Sequence, residues 1–494
     1  MWRTLVLGII LALGCLSTEA QPPIRLFVTK HLPADSVDLQ YYGKKHFLRG
    51  AATLLTLNTG VWSFDRFIKH GDYSYISFHT IKENFKHGFY WDNDELPTNM
   101  FMHPYHGNLY FNIGRANGFN FWQSSLFAFS GSFLWEFFME CEYPSTNDII
   151  ATPVGGMALG EVMFRASDLV LNDESRGWQR FGREAAAFLI SPMRGVTRIL
   201  NGDAWRHRST TGRQFGIPNI VLEYSAGVRI LEFKKPFLDT GVGYTSELNI
   251  EYGDRFEVVN AKPYDYFTFR LDLNIHSSQP VLGQLNIMGR LIGCDLVDKG
   301  EQKLNVGLYQ HFDYYDSDTI SSVAEAVPYQ LAVPACFGGG IMYRGQEKNH
   351  WAFDAFAHAN AVVLGGVLSD HYHVDMRDYN MGSGFSVKSG INLVFSRDRF
   401  SFSAIYDYYR LFTWKGQASG EKMSQENYHT LNAQGNPSAT SFMIGETRAA
   451  LRLFERLYLV GSFSIYHRST HYNALYPPVS TTTTATRLML SYKF

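Results

Sequence analysis

A group of histidines and carboxylates in the first half of the chain has the side chains of a catalytic or metal site. Its members are His103, His106, Glu136, Glu140, Asn147, Asp148 and Glu161. Glu136 and Glu140 are four residues apart, which places them on one face of a helix. Trp135 and Phe137 make that helix too apolar for a solvated surface. The two carboxylates therefore need partners, because a buried charge without one is costly.

Two kinds of partner fit this group. In the functional hypothesis, the group binds a divalent metal or uses His103 and His106 as an acid–base pair, as a lipid hydrolase does. The catalytic residues would then be His103, His106, Glu136, Glu140 and Asp148. In the structural hypothesis, which we favour, Arg115, Arg165 or backbone amides satisfy the carboxylates. Glu161 and Arg165 are expected to form an ordinary helical ion pair worth a few tenths of a kcal/mol.

A second candidate site lies in the run His371-Tyr372-His373-Val374-Asp375. If this run is extended, His371, His373 and Asp375 point the same way and could bind zinc or calcium, with a fourth ligand such as Asp378. The alternative is a polar rim or loop. No serine lies in a G-x-S-x-G motif, so no nucleophile elbow is predicted. We expect no cofactor other than such a divalent metal ion.

The second half of the chain alternates between apolar and polar residues, which is the pattern of strands with two different faces. About twelve such runs occur, near 216–231, 237–253, 264–277, 281–296, 302–315, 329–344, 350–365, 380–396, 399–413, 440–454, 456–472 and 484–494. Between them, polar segments such as Gln417 to Pro437 and Thr481 to Thr484 are expected to be loops. Residues 210–494 allow about 24 residues per strand and connection, against roughly 9 to 11 needed to cross an outer membrane.

The composition narrows the fold class. The chain has 494 residues, of which 15% are aromatic and 18% are charged, and its mean hydropathy is −0.16. After the first twenty residues there is no apolar stretch long enough for an obvious membrane helix. A membrane β-barrel fits, because its apolar lipid-facing residues alternate with polar lumen-facing residues, which keeps the mean hydropathy moderate. The alternative is a large soluble β-sandwich.

Several details support the barrel. The last strand carries Leu488, Leu490, Tyr492 and Phe494 on one face, which resembles the signal read by the outer-membrane assembly machinery of Gram-negative bacteria. The charges expected to point inward, and so to make the interior polar, are Glu247, Glu251, Arg270, Asp272 and Asp407. About twelve strands is a modest size, so side chains and a helix can fill such a barrel.

Export is predicted by the first twenty residues, in which Arg3 precedes an apolar run and Ala20 precedes the expected cleavage site. The alternative is lipidation at Cys15. The mature chain would keep a net charge of −2, which gives no support for a nucleic-acid partner. Its three cysteines, Cys141, Cys294 and Cys336, form no disulfide framework.

The first half has helical periodicity instead. Helices are predicted over 47–64, 122–138, 156–171 and 174–189, the last with Asp173 as N-cap. Gly156 and Gly160 form a G-x-x-x-G face, which lets a neighbouring helix approach closely. A mainly α-helical N-terminal module is therefore expected to precede the barrel.

The motifs of this module carry a resemblance. They are Trp91-Asp92-Asn93-Asp94, the HPYHGNLYFN run 103–112, the GFNFW run 118–122, the PSTND run 144–148 and the TPVGG run 152–156. In this order they resemble an uncharacterised domain family of Bacteroidetes outer-membrane proteins, over about residues 45–200. The resemblance implies a location and an architecture but no chemistry.

The expected organisation is a signal peptide over 1–20, a linker or extension over 21–44, the helical module over 45–205 and the barrel over 210–494. The first functional hypothesis is a transport or structural role at the cell outer membrane, with the helical module capping or plugging the barrel. The alternative is a lipid-active enzyme, a lipopolysaccharide or phospholipid hydrolase. The expected partners are outer-membrane lipid, lipopolysaccharide and the assembly machinery, while the oligomeric state stays open.

Overall fold

The computed structural model describes residues 32–233, 242–258, 261–276, 280–317, 327–345, 351–374, 376–395, 398–416, 432–473 and 476–494. The predicted signal peptide and the Gln417–Pro437 loop up to residue 431 lie outside these residues. The chain divides into two compact units. The helical unit contains residues up to Asp92 together with Met102–Asn219, and the barrel unit contains Asn93–Phe101 together with Ile220–Phe494.

The barrel unit is a closed barrel of twelve antiparallel strands, which confirms the predicted fold class. The strands are β1 (Ile220–Glu232), β2 (Val242–Tyr252), β3 (Phe267–Ile275), β4 (Leu282–Lys299), β5 (Gln302–Asp316), β6 (Gln330–Arg344), β7 (Trp351–Leu368), β8 (Tyr379–Phe395), β9 (Phe400–Thr413), β10 (Ser438–Arg452), β11 (Leu457–Tyr472) and β12 (Val479–Lys493). Each strand pairs with its neighbours in sequence, and β1 pairs with β12 to close the barrel, with Ala226 opposite Leu490. Every one of the twelve alternating runs forms a strand.

One expected loop is wrong. Thr481 to Thr484 lie within β12, where Thr482 is paired with His467 of β11. A run of threonine suggests a polar loop by composition, but a β-branched side chain favours the extended backbone. Backbone pairing between β11 and β12 therefore continues through Thr481 to Thr484.

Side chains from the strands fill the part of the barrel interior that the structure describes. One layer is apolar and contains Leu231, Tyr315, Tyr329, Leu331, Val333, Val362, Tyr409, Leu411, Phe442, Ile444 and Tyr466. Its centre includes the stacked rings of Tyr329 and Tyr466, 4.1 Å apart. The neighbouring layer is charged.

Within its described residues the helical unit contains eight α-helices. They are α1 (Ser36–Tyr42), α2 (Phe47–Phe64), α3 (Phe78–His87), α4 (His103–Ala116), α5 (Phe121–Phe138), α6 (Asp148–Val170), α7 (Gly177–Ile190) and α8 (Pro192–Leu200). The four predicted helices correspond to α2, α5, α6 and α7. Asp173 is not the N-cap of α7, because that position belongs to Arg176. Instead the Asp173 carboxylate binds Arg180 and Arg198.

Glycines allow α4 and α6 to pack almost backbone to backbone. A Cβ atom on Gly107 of α4 would lie 1.7 Å from the Thr152 carbonyl oxygen of α6. A Cβ atom on Gly156 would lie 2.4 Å from the Gly107 carbonyl carbon. The predicted close approach at the G-x-x-x-G face is thus present. Helix α6 is long and apolar enough to cross a membrane. However, 72% of its most apolar stretch is buried inside the protein.

The segment Asn93–Phe101 belongs to the barrel unit although it precedes the barrel by more than a hundred residues. The Asn99 amide donates a hydrogen bond to the Tyr379 hydroxyl at 2.9 Å, and this hydroxyl donates to the Asp94 carbonyl at 3.2 Å. The Phe101 ring lies 5.9 Å from that of Tyr314. Tyr314 and Tyr379 alternate with residues whose side chains point into the lumen, so the segment covers the outward faces of β5 and β8 near their ends.

Candidate functional site

The predicted histidine and carboxylate group comes together where α4, the end of α5 and the start of α6 meet. His103 Nε2 lies 3.7 Å from Asp148 Oδ1. The Glu136 carboxylate accepts a hydrogen bond from the Ser145 backbone N–H at 2.8 Å, and the Trp135 indole N–H donates to Glu140. Apart from Glu161, the group is therefore one cluster, held by side chains and by the backbone before α6.

Burial sets the protonation of the three carboxyls. It raises the pKa of Glu136, Glu140 and Asp148 well above the ordinary value, and repulsion from neighbouring carboxylates adds to the effect. These groups hold their protons at a pH where exposed carboxyls have lost them. A protonated carboxyl can donate a hydrogen bond or a proton, but it is a poor metal ligand.

His106 is buried among aromatic rings. Its ring lies 4.6 Å from Tyr110 and 5.2 Å from Trp135. Burial, together with the charge of His103, lowers the pKa of His106 to about 3. At neutral pH this imidazole is uncharged, which weakens the hypothesis that His103 and His106 act as an acid–base pair.

Arg115 and Arg165 form ion pairs with Glu161. They do not bind the carboxyl of Glu136. Their Nε atoms both lie 2.8 Å from the Glu161 carboxylate. The expected Glu161–Arg165 pair is present, but it is not an ordinary exposed helical pair, because Glu161 is fully buried and binds Arg115 as well. Of the structural partners foreseen for Glu136, the backbone amide is the one that binds it.

The histidine run 371–375 lies between β7 and β8. Asp375 is outside the described residues. The His371 ring stacks on Tyr476 at 4.0 Å, whereas the His373 side chain is exposed. Within the described part of the chain, no group of three or more His, Cys, Asp or Glu side chains could hold a metal ion. The metal site at His371, His373 and Asp375 stays a prediction.

The charged layer of the barrel is a second candidate site. Its members, here called the lumen network, are Glu223, Glu247, Arg270, Asp272, Glu446, Arg448 and Arg487. Arg270 Nη1 of β3 binds Glu446 Oε1 of β10 at 2.8 Å. These strands are five positions apart around a ring of twelve, so the ion pair joins nearly opposite walls and crosses the lumen.

The other members of the lumen network extend this bridge. Arg448 of β10 binds Glu247 of β2 and Glu223 of β1. Arg487 Nη2 of β12 lies 3.4 Å from Asp272, and Arg270 Nε lies 3.1 Å from the same carboxylate. Three cations and four anions therefore share one layer, in which each charge is stabilised by groups from other strands.

A smaller charged group lies across the lumen between β5 and β8. Lys388 Nζ lies 2.5 Å from Asp313 Oδ2, and the Tyr315 hydroxyl donates to Asp407 at 3.5 Å. Beside them, His311 Nε2 and His358 Nδ1 are 3.2 Å apart. Strand side chains thus span the described lumen at more than one level.

Sequence reasoning found only part of the lumen network. It placed Glu247, Arg270, Asp272 and Asp407 inward. The side chains of Glu247, Asp272 and Asp407 are buried in the barrel, and that of Arg270 is partly buried. Glu251, also expected inward, is only partly buried and binds Arg255 at 2.7 Å. The sequence-based set missed Glu223, Glu446, Arg448, Arg487, Asp313 and Lys388. The alternating pattern of β10 and β12 could have predicted that Glu446, Arg448 and Arg487 point into the lumen.

Solved structures of several barrel proteins resemble the chain at low scores. The NanC porin has 8% identity and a TM-score of 0.27, with 55% of this chain and 100% of that chain covered. The toluene transporter TodX of Pseudomonas putida has 8% identity and a TM-score of 0.21, with coverage of 57% and 90%. The outer membrane channel DcaP of Acinetobacter baumannii has 9% identity and a TM-score of 0.21, with coverage of 56% and 96%.

Sequence comparisons give one match. No curated protein matches the chain. Residues 88–193, which include α4, α5, α6 and the whole histidine and carboxylate group, match the family model described as Domain of unknown function (DUF3943).

Proposed function

We propose that the protein is an integral outer-membrane barrel that passes small polar or charged solutes, and that the lumen network is its gate. The observation that carries the proposal is the Arg270–Glu446 ion pair, which joins nearly opposite walls of the barrel at 2.8 Å. A solute cannot pass this layer while the pair is closed. The adjacent apolar layer around Tyr329 and Tyr466 also fills the lumen, so an open path requires both layers to rearrange and would be lined in part by charges of both signs.

The outer surface supports the membrane location. Leu488, Leu490 and Tyr492 on the outward face of β12 are exposed, and so is Phe494 directly after this strand, as expected for lipid-facing positions and for the predicted assembly signal. The connections at the end where β1 begins have two to six residues, apart from the one between β2 and β3. Those at the other end have six to 24 residues. This asymmetry is typical of periplasmic turns and extracellular loops.

The energetics favour a functional origin for the lumen network. Replacing buried ion pairs by well-packed apolar residues is often neutral or stabilising. The adjacent layer of the same barrel is filled with tyrosine, leucine and valine, so an apolar filling is available to this fold. Charges retained in the lumen therefore fit a role in selecting or passing charged solutes better than a role in packing.

Solute permeation tests the proposal. The protein is reconstituted into liposomes, and swelling is followed with neutral sugars and with amino acids of either charge. We expect an Arg270→Gln/Glu446→Gln double variant to swell faster than the wild type, because the pair that joins β3 to β10 is removed, while the Arg448–Glu247 pair remains. The matched control is Arg344→Gln, which breaks a pair between the neighbouring strands β6 and β7. A correctly folded double variant that swells no faster than the wild type would refute the gate.

The helical unit capping or plugging the barrel stays a prediction, and so do the partners named above. The lipid-hydrolase alternative has one observation in its favour, the 3.7 Å approach of His103 to Asp148. It is tested by His103→Ala and Glu136→Gln, with lipid A and phospholipid profiles as the readout. Unchanged profiles in folded variants would eliminate it.

A further inference from the structure

Helix α5 presents an uninterrupted apolar stripe on its exposed side. Trp122, Leu126, Phe129 and Phe133 are 48%, 66%, 43% and 41% exposed. They recur at spacings of four, three and four residues, which places them on one helical face. The one charged residue of α5 is Glu136, and it is buried on the opposite side. The exposed side therefore carries large apolar groups and no charge.

Helix α2, which packs against α5, also exposes large apolar side chains. Leu48 and Leu55 are both more than half exposed, seven residues apart. The one charged residue of α2 is Arg49, whose Nε donates to the Asn117 side chain at 2.6 Å. The two helices pack side by side, since the Asn58 amide of α2 donates to the Gly131 carbonyl of α5 at 3.3 Å. Leu48, Leu55, Trp122, Leu126, Phe129 and Phe133 are here called the charge-free face.

A basic and aromatic segment follows α2. The Arg66 guanidinium lies 3.5 Å from the centre of the Tyr75 ring, and Lys69 Nζ lies 5.2 Å from that of Tyr73. Helix α3 then exposes Phe78 and Phe85, with Lys82 and Lys86 in the same helix. Lysine and arginine beside exposed aromatic rings are typical of segments that lie at the headgroup level of a bilayer.

Both helices of the charge-free face have 18 residues and are about 27 Å long. An apolar surface of this extent is unusual on a protein surrounded by water. Chain continuity favours lipid as its occupant. The helical unit joins the barrel unit through the peptide bonds Asp92–Asn93, Phe101–Met102 and Asn219–Ile220, so a barrel in the membrane holds the helical unit at the membrane.

We infer that the charge-free face of α2 and α5 binds the acyl chains of the bilayer, with the basic segment 66–89 at the level of the headgroups. This inference rests on the membrane location proposed above, but not on solute transport. The helical unit then contributes a membrane-contacting surface in addition to that of the strands. A charge-free face of this kind suits lipid and does not suit a water-filled lumen.

Spin labelling tests this inference in the full chain. Cys141, Cys294 and Cys336 are replaced by alanine, and a nitroxide is attached at Leu126→Cys or, in a second variant, at Phe133→Cys. The protein is reconstituted into vesicles of phosphatidylethanolamine and phosphatidylglycerol. Collisions of the label with oxygen, which is concentrated in lipid, are compared with collisions with a water-soluble nickel complex.

Two control positions make the outcomes distinguishable. Leu490→Cys lies on the outward face of β12, and Glu174→Cys is exposed between α6 and α7. We expect the labels at 126 and 133 to behave like that at 490, with oxygen collisions several-fold above nickel collisions. Accessibility to nickel, as at 174, would overturn the inference, and so would shielding from both reagents, which indicates a protein partner. A label at 490 that is itself accessible to nickel would overturn the membrane location as well.

Discussion

Glu161 is a buried carboxylate that holds two arginines inside the helical unit. Its carboxylate holds Arg115 and Arg165, and all three side chains are almost fully buried. A buried ion pair contributes little net stability, but removing one partner leaves an uncompensated charge. A substitution of Glu161 alone is therefore expected to be strongly destabilising, even though replacing all three charged residues by apolar ones need not be.

We predict that Glu161→Gln lowers the free energy of unfolding of the helical unit by about 3 to 5 kcal/mol, because two guanidinium groups lose their carboxylate. Chemical denaturation of the full chain in detergent, followed by helical circular dichroism, measures this change. Glu83→Gln is the control, since Glu83 forms an exposed pair with Lys86 and should change stability by less than about 0.5 kcal/mol. Equal effects of the two substitutions would contradict the assigned role of Glu161.

Glu136 links stability to pH. Its pKa in the folded protein is raised by burial, so the folded state holds a proton that the unfolded chain has released. That contribution is fully present below the ordinary carboxyl pKa and is lost as the pH rises through the folded value. We predict that Glu136→Gln becomes more stable relative to the wild type between pH 5 and pH 8, as measured by thermal unfolding. The exposed Glu174→Gln should show a constant difference over that range, and a constant difference for Glu136→Gln would contradict the assignment.

Helix packing at α4 and α6 depends on the absence of side chains at two glycines. We predict that Gly107→Ala destabilises the helical unit by about 1 to 3 kcal/mol or more, because its Cβ would collide with the Thr152 carbonyl. Gly182 of α7 has open space around its Cβ position, so Gly182→Ala should be neutral or stabilising by up to about 1 kcal/mol. Thermal unfolding compares the two variants. A neutral Gly107→Ala would mean that the two helices are not in close contact.

Strand β12 closes the barrel and carries the predicted assembly signal. The Phe494 backbone N–H donates to the Leu222 carbonyl at 2.9 Å, and its ring lies 5.0 Å from that of Tyr492. We predict that deletion of Phe494 lowers the amount of heat-modifiable protein in the outer membrane several-fold. Phe454→Ala, at an exposed position in the turn after β10, should leave this amount unchanged. Normal levels of the truncated protein would show that Phe494 is not part of the signal.

Elements were easier to predict from sequence than their contacts. The alternation of apolar and polar residues identified all twelve strands, because the outward face of each strand and its lumen face lie in different environments. Helix α4 was missed, since Pro104, Gly107 and Asn108 are poor helix formers that tertiary packing tolerates here. The partner of Arg448 is Glu223, 225 residues away, and that pairing follows from barrel closure. No local pattern contains this information.

At the scale of the whole molecule, the chain joins a barrel with a filled interior to a helical unit with a charge-free face. The predicted helical module and barrel are both present, whereas the segment Asn93–Phe101 was unexpected because it belongs to the barrel unit. Its side chains cover the outward faces of β5 and β8, and no pattern in this short segment predicts that it packs on strands more than two hundred residues later. The function proposed here depends on the lumen network, which only the closed barrel assembles.

Single-channel conductance of Glu446→Gln in planar bilayers tests the central claim most directly. Removing this carboxylate releases Arg270 from the opposite wall, and we predict a higher open probability than for the wild type, several-fold at moderate salt. Arg344→Gln should match the wild type. If correctly folded Glu446→Gln shows the same conductance and open probability as the wild type, the lumen network is not a gate.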